Sequence, residues 1–237
     1  KTDINLNLKI QMIFQDPFSS LNPRQKIIDI ISEAPLHHDL ITKKNKNSFV
    51  EDILKKVGLG SDVIERYPHQ FSGGQRQRIG IARALAVSPD LIVCDESIAA
   101  LDVSIQAQVI NLFLKLREDF NLTYLFISHD IGVIQHIADK VVVMYLGQVV
   151  ESASVKEIFS KPNHPYTQAL LEGVPTLDTK RKVYTPIKGE IPSPLDPPTG
   201  CYFHPRCKFS TKKCIEEKPL FSEISPGHFS ACHLNKN

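Results

Sequence analysis

The sequence predicts an α/β protein built on a parallel β-sheet and followed by a smaller region rich in proline and cysteine. Short apolar segments at 91–94, 124–127 and 141–146 have the length and composition of buried strands. Two segments with helical spacing, 103–118 and 130–138, separate them. Continuous apolar strands that alternate with helices are typical of a parallel sheet with helices on both faces.

The preceding residues add one more strand and a helical insert. Residues 10–15 form an apolar run that ends in a polar loop, which predicts a buried strand. Residues 24–71 carry apolar side chains at helical spacing. A further helix is predicted over about 75–86, and a short strand over 149–151 returns after the turn at Gly147.

The composition changes after Lys161. Eleven of the 16 prolines and four of the five cysteines lie beyond that residue. We therefore predict one domain over 1–160, with a helical subdomain at about 24–88, and a separate region over 161–237. With little regular structure expected, that region would need a crosslink or a metal to be rigid.

The overall composition excludes several classes of protein. Hydrophobic residues make up 42% and charged residues 23%, as in ordinary globular proteins, and the net charge is only +2. Strong nonspecific binding of nucleic acid, which needs a concentrated basic surface, is not expected. No apolar run reaches the ~18 residues of a membrane helix, and the first residues do not resemble a signal peptide. We expect a cytoplasmic protein that docks on membrane partners.

The strongest motif is Ser72-Gly73-Gly74-Gln75 at the predicted start of a helix. A serine hydroxyl, exposed backbone N–H groups and the positive helix end together suit a phosphate. An ordinary helix cap would give the same four residues.

Three further polar positions follow predicted strands. Asp95 and Glu96 come after 91–94, where an acidic pair can hold Mg²⁺ and orient a water molecule, or simply cap a helix. His129 follows 124–127, and Gln15 follows the first strand. Each of these two residues alone is more often structural than functional.

Together, the order and spacing of these motifs resemble the ABC-type ATPase domain over about residues 8–155. The resemblance implies a P-loop NTPase-type (RecA-like) sheet with an α-helical subdomain, and ATP with Mg²⁺ as ligands. It also assigns the roles of the motifs: Gln15 as the Q-loop glutamine and a Mg²⁺ contact, Ser72, Gly73, Gly74 and Gln75 as the signature, Asp95 and Glu96 as the Walker B pair, Asp102 as the D-loop, and His129 as the switch histidine. In that family Ser72 acts on ATP held by a second subunit.

Three tracts narrow the resemblance to the ATP-binding subunits of oligopeptide and dipeptide importers. They are 14–24, 163–171 and 200–207. The resemblance implies a homologous second ATPase subunit, two transmembrane permease subunits, an extracytoplasmic peptide-binding protein and a place on the cytoplasmic face of the membrane, without nucleic acid. Dipeptides, longer peptides and nickel stay open as cargo, because other subunits select it.

Four cysteines, Cys201, Cys207, Cys214 and Cys232, are spaced C-x5-C-x6-C-x17-C. Disulfides are not expected in a cytoplasmic protein, and four thiolates suit zinc or an iron–sulfur cluster. The resemblance to peptide importers favours a [4Fe–4S] cluster. Zinc and unligated thiols remain the alternatives.

The sequence departs from the family pattern at two places. No G-x-x-x-x-G-K-[ST] loop occurs in these residues, so we expect the phosphate loop to precede Lys1 and these residues alone to hydrolyse ATP poorly. Ser97 and Ile98 stand where the family usually has Pro-Thr. A non-transport ABC ATPase, and a non-catalytic remnant that acts only through its signature, are the competing hypotheses.

Overall fold

The computed structural model describes residues 4–16, 19–173 and 187–235. Pro17 and Phe18, which belong to the tract 14–24, lie outside the described residues. The chain divides into two compact units, Lys1–Asp130 and Ile131–Asn237.

The first unit contains three strands, five helices and two short 3-10 helices among its described residues. Its strands are β1 (Ile10–Ile13), β2 (Leu91–Asp95) and β3 (Thr123–Ile127). Its helices are α1 (Ile4–Lys9), α2 (Ile27–His37), α3 (Lys46–Lys56), α4 (Gly73–Leu85) and α5 (Val103–Phe120), with 3-10 turns at Ser61–Val63 and Pro68–Gln70. The strands and helices predicted for this unit are confirmed, with ends that differ by a few residues.

The three strands form one parallel sheet in the order β1-β2-β3. Ile13 lies opposite Cys94, and Asp95 lies opposite Ile127, so the carboxyl ends of neighbouring strands are level. On one face α5 buries Phe113 completely, and its ring packs edge-on against Tyr124 and Phe126 at 5.3 and 5.2 Å. The parallel sheet is confirmed.

The opposite face of this sheet differs from the prediction. Side chains alternate across a strand, and those that point away from α5 include Met12, Leu125 and Ile127, which are 39%, 53% and 47% exposed. The expected cover of helices on both faces is therefore not found among the described residues of this unit.

The helical insert between β1 and β2 has its own apolar core. Helix α2 contacts both α3 and α4, and Ile27, Leu54 and Ile79 are fully buried there. Arginines of α4 fix the loops around it: Arg76 donates from Nε to the carbonyl of Pro68 at 2.7 Å, and Arg78 donates to the carbonyl of Val57 at 2.7 Å. The N-terminal end of α4 is thereby held by two loops of the insert.

The second unit contains an antiparallel sheet of four strands. Its strands are β4 (Lys140–Tyr145), β5 (Gln148–Ser154), β6 (Ser222–Ser225) and β7 (His228–Ser230), in the order β4-β5-β7-β6. Its helices are α6 (Ile131–Ile137), α7 (Val155–Ser160), α8 (Pro165–Glu172) and α9 (Lys212–Glu216), with a 3-10 turn at His204–Arg206.

Two expectations about this unit are wrong. The segment predicted at 141–146 does not join the parallel sheet but pairs antiparallel with β5. The strand predicted to return after the turn at Gly147 is confirmed, since Leu146 and Gly147 both have positive φ and fold the chain back. The region after 161 is more regular than predicted, since β7 pairs with β5 and β6. The predicted domain boundary near residue 160 stays a prediction. The two compact units are defined by contacts within the chain, which do not test where one domain ends and the next begins.

A buried carboxylate connects three parts of this unit. Glu151 on β5 is completely buried, and its Oε1 lies 2.7 Å from His228 Nε2 on β7. The same carboxylate accepts the backbone N–H groups of Asn163 at 2.7 Å and His164 at 2.9 Å, just before α8. Because each oxygen has at least one donor, the cost of burying Glu151 is offset.

The His164 ring caps α8 and should make stability depend on pH. Its Nδ1 accepts the Tyr166 N–H at 3.1 Å, and burial lowers the pKa of His164 to about 4. The folded state therefore holds the ring neutral while the unfolded chain protonates near pH 6.5, so the stability present above pH 6.5 is lost as pH falls toward 4. The linkage is worth at most about 3 kcal/mol.

We predict that His164→Asn, which keeps a side-chain cap but does not titrate, weakens this pH dependence. Urea unfolding followed by tyrosine fluorescence at pH 7 and pH 4.5 measures it. The variant His136→Asn, at an exposed position, is the matched control, and its free energy of unfolding should change with pH as that of the wild type does. If the free energy of unfolding depended on pH equally in His164→Asn and in the wild type, His164 would not be the source of the pH dependence.

Candidate functional site

The carboxyl ends of the three parallel strands bring Gln15, Glu96 and His129 together. Gln15 lies two residues after β1, Glu96 directly after β2, and His129 two residues after β3. Since these strands are neighbours with level ends, residues far apart in sequence meet at one edge. Sequence reasoning named all three residues, and the structure places them in contact.

Glu96 is the centre of this group. Its Oε1 lies 3.1 Å from His129 Nδ1, and its Oε2 accepts a hydrogen bond from Gln15 Nε2. The Glu96 side chain is 30% exposed and the His129 side chain 70% exposed. A carboxylate held by two donors at an open edge is oriented, and it can exchange either donor for a water molecule.

The backbone at Glu96 helps to aim its side chain. Its φ is +44°, in the left-handed region that residues other than glycine rarely adopt. Its N–H donates to the carbonyl of Ile127 at 2.9 Å, one residue beyond the regular ladder between β2 and β3. Strained backbone of this kind is common at functional sites.

Asp95 and the residues after Glu96 have different environments. The Asp95 carboxylate is half-buried at the end of β2, with no hydrogen bond or ion pair to the rest of the described chain. Ser97 and Ile98, which replace the usual Pro-Thr, form a turn in which Ile98 is buried and the Ala99 N–H donates to the Glu96 carbonyl at 3.0 Å. The substitution therefore leaves the acidic pair on a closed, well-packed turn.

Ser72 caps helix α4 together with Gln75. Ser72 Oγ accepts the Gln75 N–H at 3.3 Å, and Gln75 Oε1 accepts the Ser72 N–H at 3.1 Å. This reciprocal capping box is an ordinary helix start. The four residues therefore do form the ordinary helix cap that was considered as an alternative. The exposed serine and the positive helix end are also accessible to an anion.

Gly74 is required by packing at the same helix start. A Cβ at Gly74 would lie 2.5 Å from Ile105 Cγ2 on α5, and one at Gly73 would lie 3.6 Å from Leu101 Cδ2. A larger residue at position 74 would push the first turns of α4 and α5 apart. Gly74 therefore sets how closely the Ser72 end approaches the Asp102 end of α5, whereas a Cβ at Gly73 would make only an ordinary contact.

Asp102 is the N-cap of α5. Its Oδ1 accepts the Ile105 N–H at 3.0 Å and the Ser104 hydroxyl at 2.8 Å. These hydrogen bonds, to Ile105 first, lower the pKa of Asp102. Sequence reasoning assigned Asp102 from the resemblance alone and missed this capping role, which the pattern Asp-x-x before an apolar helix could have indicated.

Arg83 was also missed. Its guanidinium donates to the carbonyl of Ser20, in the tract that follows Gln15, and burial lowers its pKa. The tract is therefore hydrogen-bonded to α4, the helix that Ser72 caps. No motif in the sequence signals this contact, because it joins positions 63 residues apart.

The four cysteines of the second unit line one cavity. Cys201, Cys207, Cys214 and Cys232 share it with the side chains of three histidines, His164, His204 and His233. Burial raises the pKa of Cys201 and Cys207, and raises that of Cys232 to about 11. The structure therefore places the four candidate metal ligands around one cavity.

Donors point at the sulfur atoms in a repeated pattern. The Phe209 N–H donates to Cys207 Sγ at 3.4 Å, and the Leu234 N–H donates to Cys232 Sγ at 3.5 Å. The backbone of Phe203 hydrogen-bonds Cys201 in the same i+2 relation. Such donors stabilise anionic sulfur, as in metal–thiolate sites.

The cavity is not arranged around a single ion. Among residues 4–16, 19–173 and 187–235, no three side chains of histidine, cysteine, aspartate or glutamate are placed to hold one metal ion together. The donor atoms thus suit a soft metal in kind, while their present spacing does not enclose one ion.

Comparison with known families agrees with this geometry. A family model described as "ABC transporter" matches residues 2–99, and one described as "Oligopeptide/dipeptide transporter, C-terminal region" matches residues 150–214. The solved structure of CbiO1 from Clostridium perfringens, part of an ABC transporter complex, matches with a TM-score of 0.58 and 25% identity, over 65% of this chain and 60% of that one. These matches define the class as ABC ATPases.

Curated relatives narrow the class. The oligopeptide transport ATP-binding protein AppF of Bacillus subtilis is 55% identical over 95% of this chain and 69% of its own length. The dipeptide transport ATP-binding protein DppF of Haemophilus influenzae is 48% identical over 94% of this chain and 69% of its own length. The chain therefore belongs to the ATP-binding proteins of oligopeptide and dipeptide ABC transporters, a family of ATPases.

Family membership implies ATP and Mg²⁺. Mg²⁺ in such sites is held by one or two protein groups and by phosphate oxygens, which agrees with a site of few protein ligands. The free Asp95 carboxylate and the Gln15 side chain supply suitable oxygen atoms. No helix in the described part of the chain is long and apolar enough to span a bilayer.

We predict that substitutions of Ser72 separate its capping role from any contact with phosphate. Ser72→Ala should lower the free energy of unfolding by about 1 kcal/mol, whereas Ser72→Gly, an acceptable cap, should cost only a few tenths. If the hydroxyl also contacts phosphate, both variants lose ATPase activity by about tenfold or more, measured in a polypeptide that joins these residues to a phosphate loop. Activity that followed stability instead would leave Ser72 with the cap alone.

Proposed function

We propose that the chain energises the import of oligopeptides or dipeptides across the cytoplasmic membrane. The proposal is supported by family membership and by one observation, the contact of Glu96 with both Gln15 and His129 at the edge of the parallel sheet. The match of residues 150–214 to a region characteristic of peptide transporters favours this role over an ABC ATPase that works away from membranes.

In the proposed mechanism, Glu96 accepts a proton from the water that attacks the terminal phosphate of ATP. Gln15 and His129 hold its carboxylate before substrate arrives, and one of these contacts is exchanged for the water. Asp95 and Gln15 would hold Mg²⁺, which neutralises charge on the phosphates. The His129 side chain, which is more exposed than that of Glu96, is free to turn toward the phosphate.

The start of α4 supplies the complementary half of a site. Ser72, the N–H groups of Gly73 and Gly74 and the positive helix end favour the phosphate of ATP held by a second subunit. Asp102 lies beside this helix start through the packing of Gly74 on Ile105. We propose a pair of homologous ATPase subunits, each of which contributes this surface to the other.

The partners and the location follow from this role. Two permease subunits would form the path through the membrane, an extracytoplasmic protein would deliver peptides, and the chain would lie peripherally on the cytoplasmic face. The tract after Gln15 is linked to α4 by Arg83, so contact of a permease subunit with this tract would reach the Ser72 end.

We predict that Glu96→Gln abolishes ATP hydrolysis in a polypeptide that joins these residues to a phosphate loop. The amide keeps the shape of the side chain and its contact with a donor but cannot accept a proton, so turnover should fall by about 100-fold or more. Phosphate release measures it. Glu65→Gln, an exposed carboxylate paired with Lys26 on the insert, is the matched control and should keep full activity.

Two results would overturn the proposal. Full activity of Glu96→Gln would remove Glu96 from the reaction. Robust hydrolysis by residues 1–237 alone, which contain no phosphate loop, would mean that a different group binds the phosphates. Peptide uptake by vesicles that hold the assembled transporter tests the cargo.

We further propose that the cysteine cavity holds a [4Fe–4S] cluster. Its four thiols surround one cavity, and i+2 backbone donors serve three of the sulfur atoms. A cluster binds each cysteine through a different iron, so its ligands stand farther apart than those around one ion. Among the described residues no three of these side chains are placed to hold one metal ion, so the proposal rests on the four thiols and on the donors to their sulfur atoms.

We predict that protein purified without oxygen is brown, absorbs broadly near 400 nm and contains about four iron atoms per chain. Cys232→Ser should lower the iron content, whereas Cys94→Ser, a buried cysteine of β2, should leave it unchanged. Stoichiometric zinc in a colourless protein would replace the cluster by a zinc site. Metal-free protein with four reactive thiols would reject both.

A further inference from the structure

A second cavity lies beside the cysteine cavity and is separate from the ATPase machinery. It has a volume of about 360 Å³, within the range of small-molecule sites. It is lined by residues 148–150 at the start of β5, by Ala231, and by the segments 200–203 and 218–221. His164, Cys201 and Phe203 line both cavities.

The walls of this cavity are mainly apolar. Val149, Phe203 and Leu220 contribute aliphatic and aromatic surface. Leu220 is 84% exposed and Phe221, which stacks on Phe229 at 5.7 Å, is 46% exposed. Exposed apolar side chains grouped around a concave surface favour an apolar ligand.

Three polar side chains that line the cavity can donate hydrogen bonds: Gln148, His164 and Lys218. Lys218 Nζ donates to Gln148 Oε1 at 2.8 Å and lies 5.6 Å from the centre of the Tyr202 ring, so the ammonium is held at the wall. The Gln148 amide nitrogen is free to donate. In a neutral His164 ring whose Nδ1 accepts the Tyr166 N–H, the proton is on Nε2, which is also a donor.

The lining residues include no aspartate or glutamate. Lys218 has no ion pair with a carboxylate anywhere in the described ranges, while the nearby Glu217 pairs with Lys213 at 3.8 Å. Within the described part of the chain, the Lys218 ammonium at this cavity therefore has no carboxylate partner. A ligand with a negative group gains from it, whereas a ligand that also carries an ammonium group finds no acidic partner.

We propose that this cavity binds a small apolar monocarboxylate, with its carboxylate on Lys218 and Gln148 and its apolar body on Val149, Phe203 and Leu220. Medium-chain fatty acids and N-acylated apolar amino acids share this chemistry. Free dipeptides, which are zwitterions, bind more weakly for want of an acidic partner. The site is therefore not a copy of a cargo site, and it stands whether or not the proposed transport function does.

Calorimetric titration of the protein with octanoate, N-acetyl-leucine, octanamide and leucyl-leucine tests the proposal. Octanoate and N-acetyl-leucine distinguish the two sources. We expect one of them or both to bind one per chain, octanamide to bind at least about tenfold more weakly because it lacks the charge, and leucyl-leucine to bind more weakly than N-acetyl-leucine.

Variants locate the binding. Lys218→Met keeps the length of the side chain but removes its charge, and it should weaken carboxylate binding by about tenfold. Lys212→Met, on the exposed face of α9, is the matched control and should bind as the wild type does. Leu220→Ser removes apolar surface from the cavity at an exposed position, where folding is not at risk. This variant should also bind octanoate more weakly.

The result that supports the proposal is a loss in Lys218→Met and Leu220→Ser that is absent in Lys212→Met, with shifts of the Tyr202 ring resonances on titration. Equal binding of octanoate and octanamide would overturn it. So would equal affinities of the two lysine variants, or the lack of any saturable heat at millimolar ligand. Circular dichroism of each variant shows that the loss does not come from unfolding.

Discussion

The level carboxyl ends of three parallel strands are the constraint on which the ATPase site depends. The ladder sets Ile13 opposite Cys94 and Asp95 opposite Ile127. The residues that follow each strand therefore meet in space although they are far apart in the sequence. A slip of one residue along either ladder would send each side chain to the opposite face of the sheet. Burial of Ile92, Cys94 and the aromatic rings around Phe113 fixes this register.

The second half of the site depends on the close approach of two helix starts. Gly74 permits the N-terminal turn of α4 to pack against Ile105 of α5, and each helix is capped by a polar side chain that also belongs to a family motif. Ser72 and Asp102 thus stabilise their helices as N-caps, in addition to any contact with nucleotide. Motif residues of this kind respond to substitution in two ways, through stability and through activity.

Much of the first unit could be predicted from sequence because its signals are local. Apolar runs, helical spacing and Ser-Gly-Gly predicted the strands and α4. The functional grouping of Gln15, Glu96 and His129 was expected from the resemblance to ABC ATPases, because neither Gln15 nor His129 signals a function alone. Of the antiparallel sheet only the β4–β5 hairpin was predicted, because the pairing of β5 with β7 joins distant segments and β6 is too short and polar to show alternation. The burial of Glu151 against His228, 77 residues away, has no signature in either segment.

The Glu151 carboxylate also bears on the order in which the chain assembles. Its partners near α8 are 12 and 13 residues away, whereas His228 is 77 residues away, so the nearer contacts close first and at lower entropic cost. During synthesis, Cys201, Cys207 and Cys214 emerge before both His228 and Cys232. The thiol cavity therefore cannot be completed until β7 docks on β5, and three of its cysteines spend that interval exposed to oxidants and to competing metals.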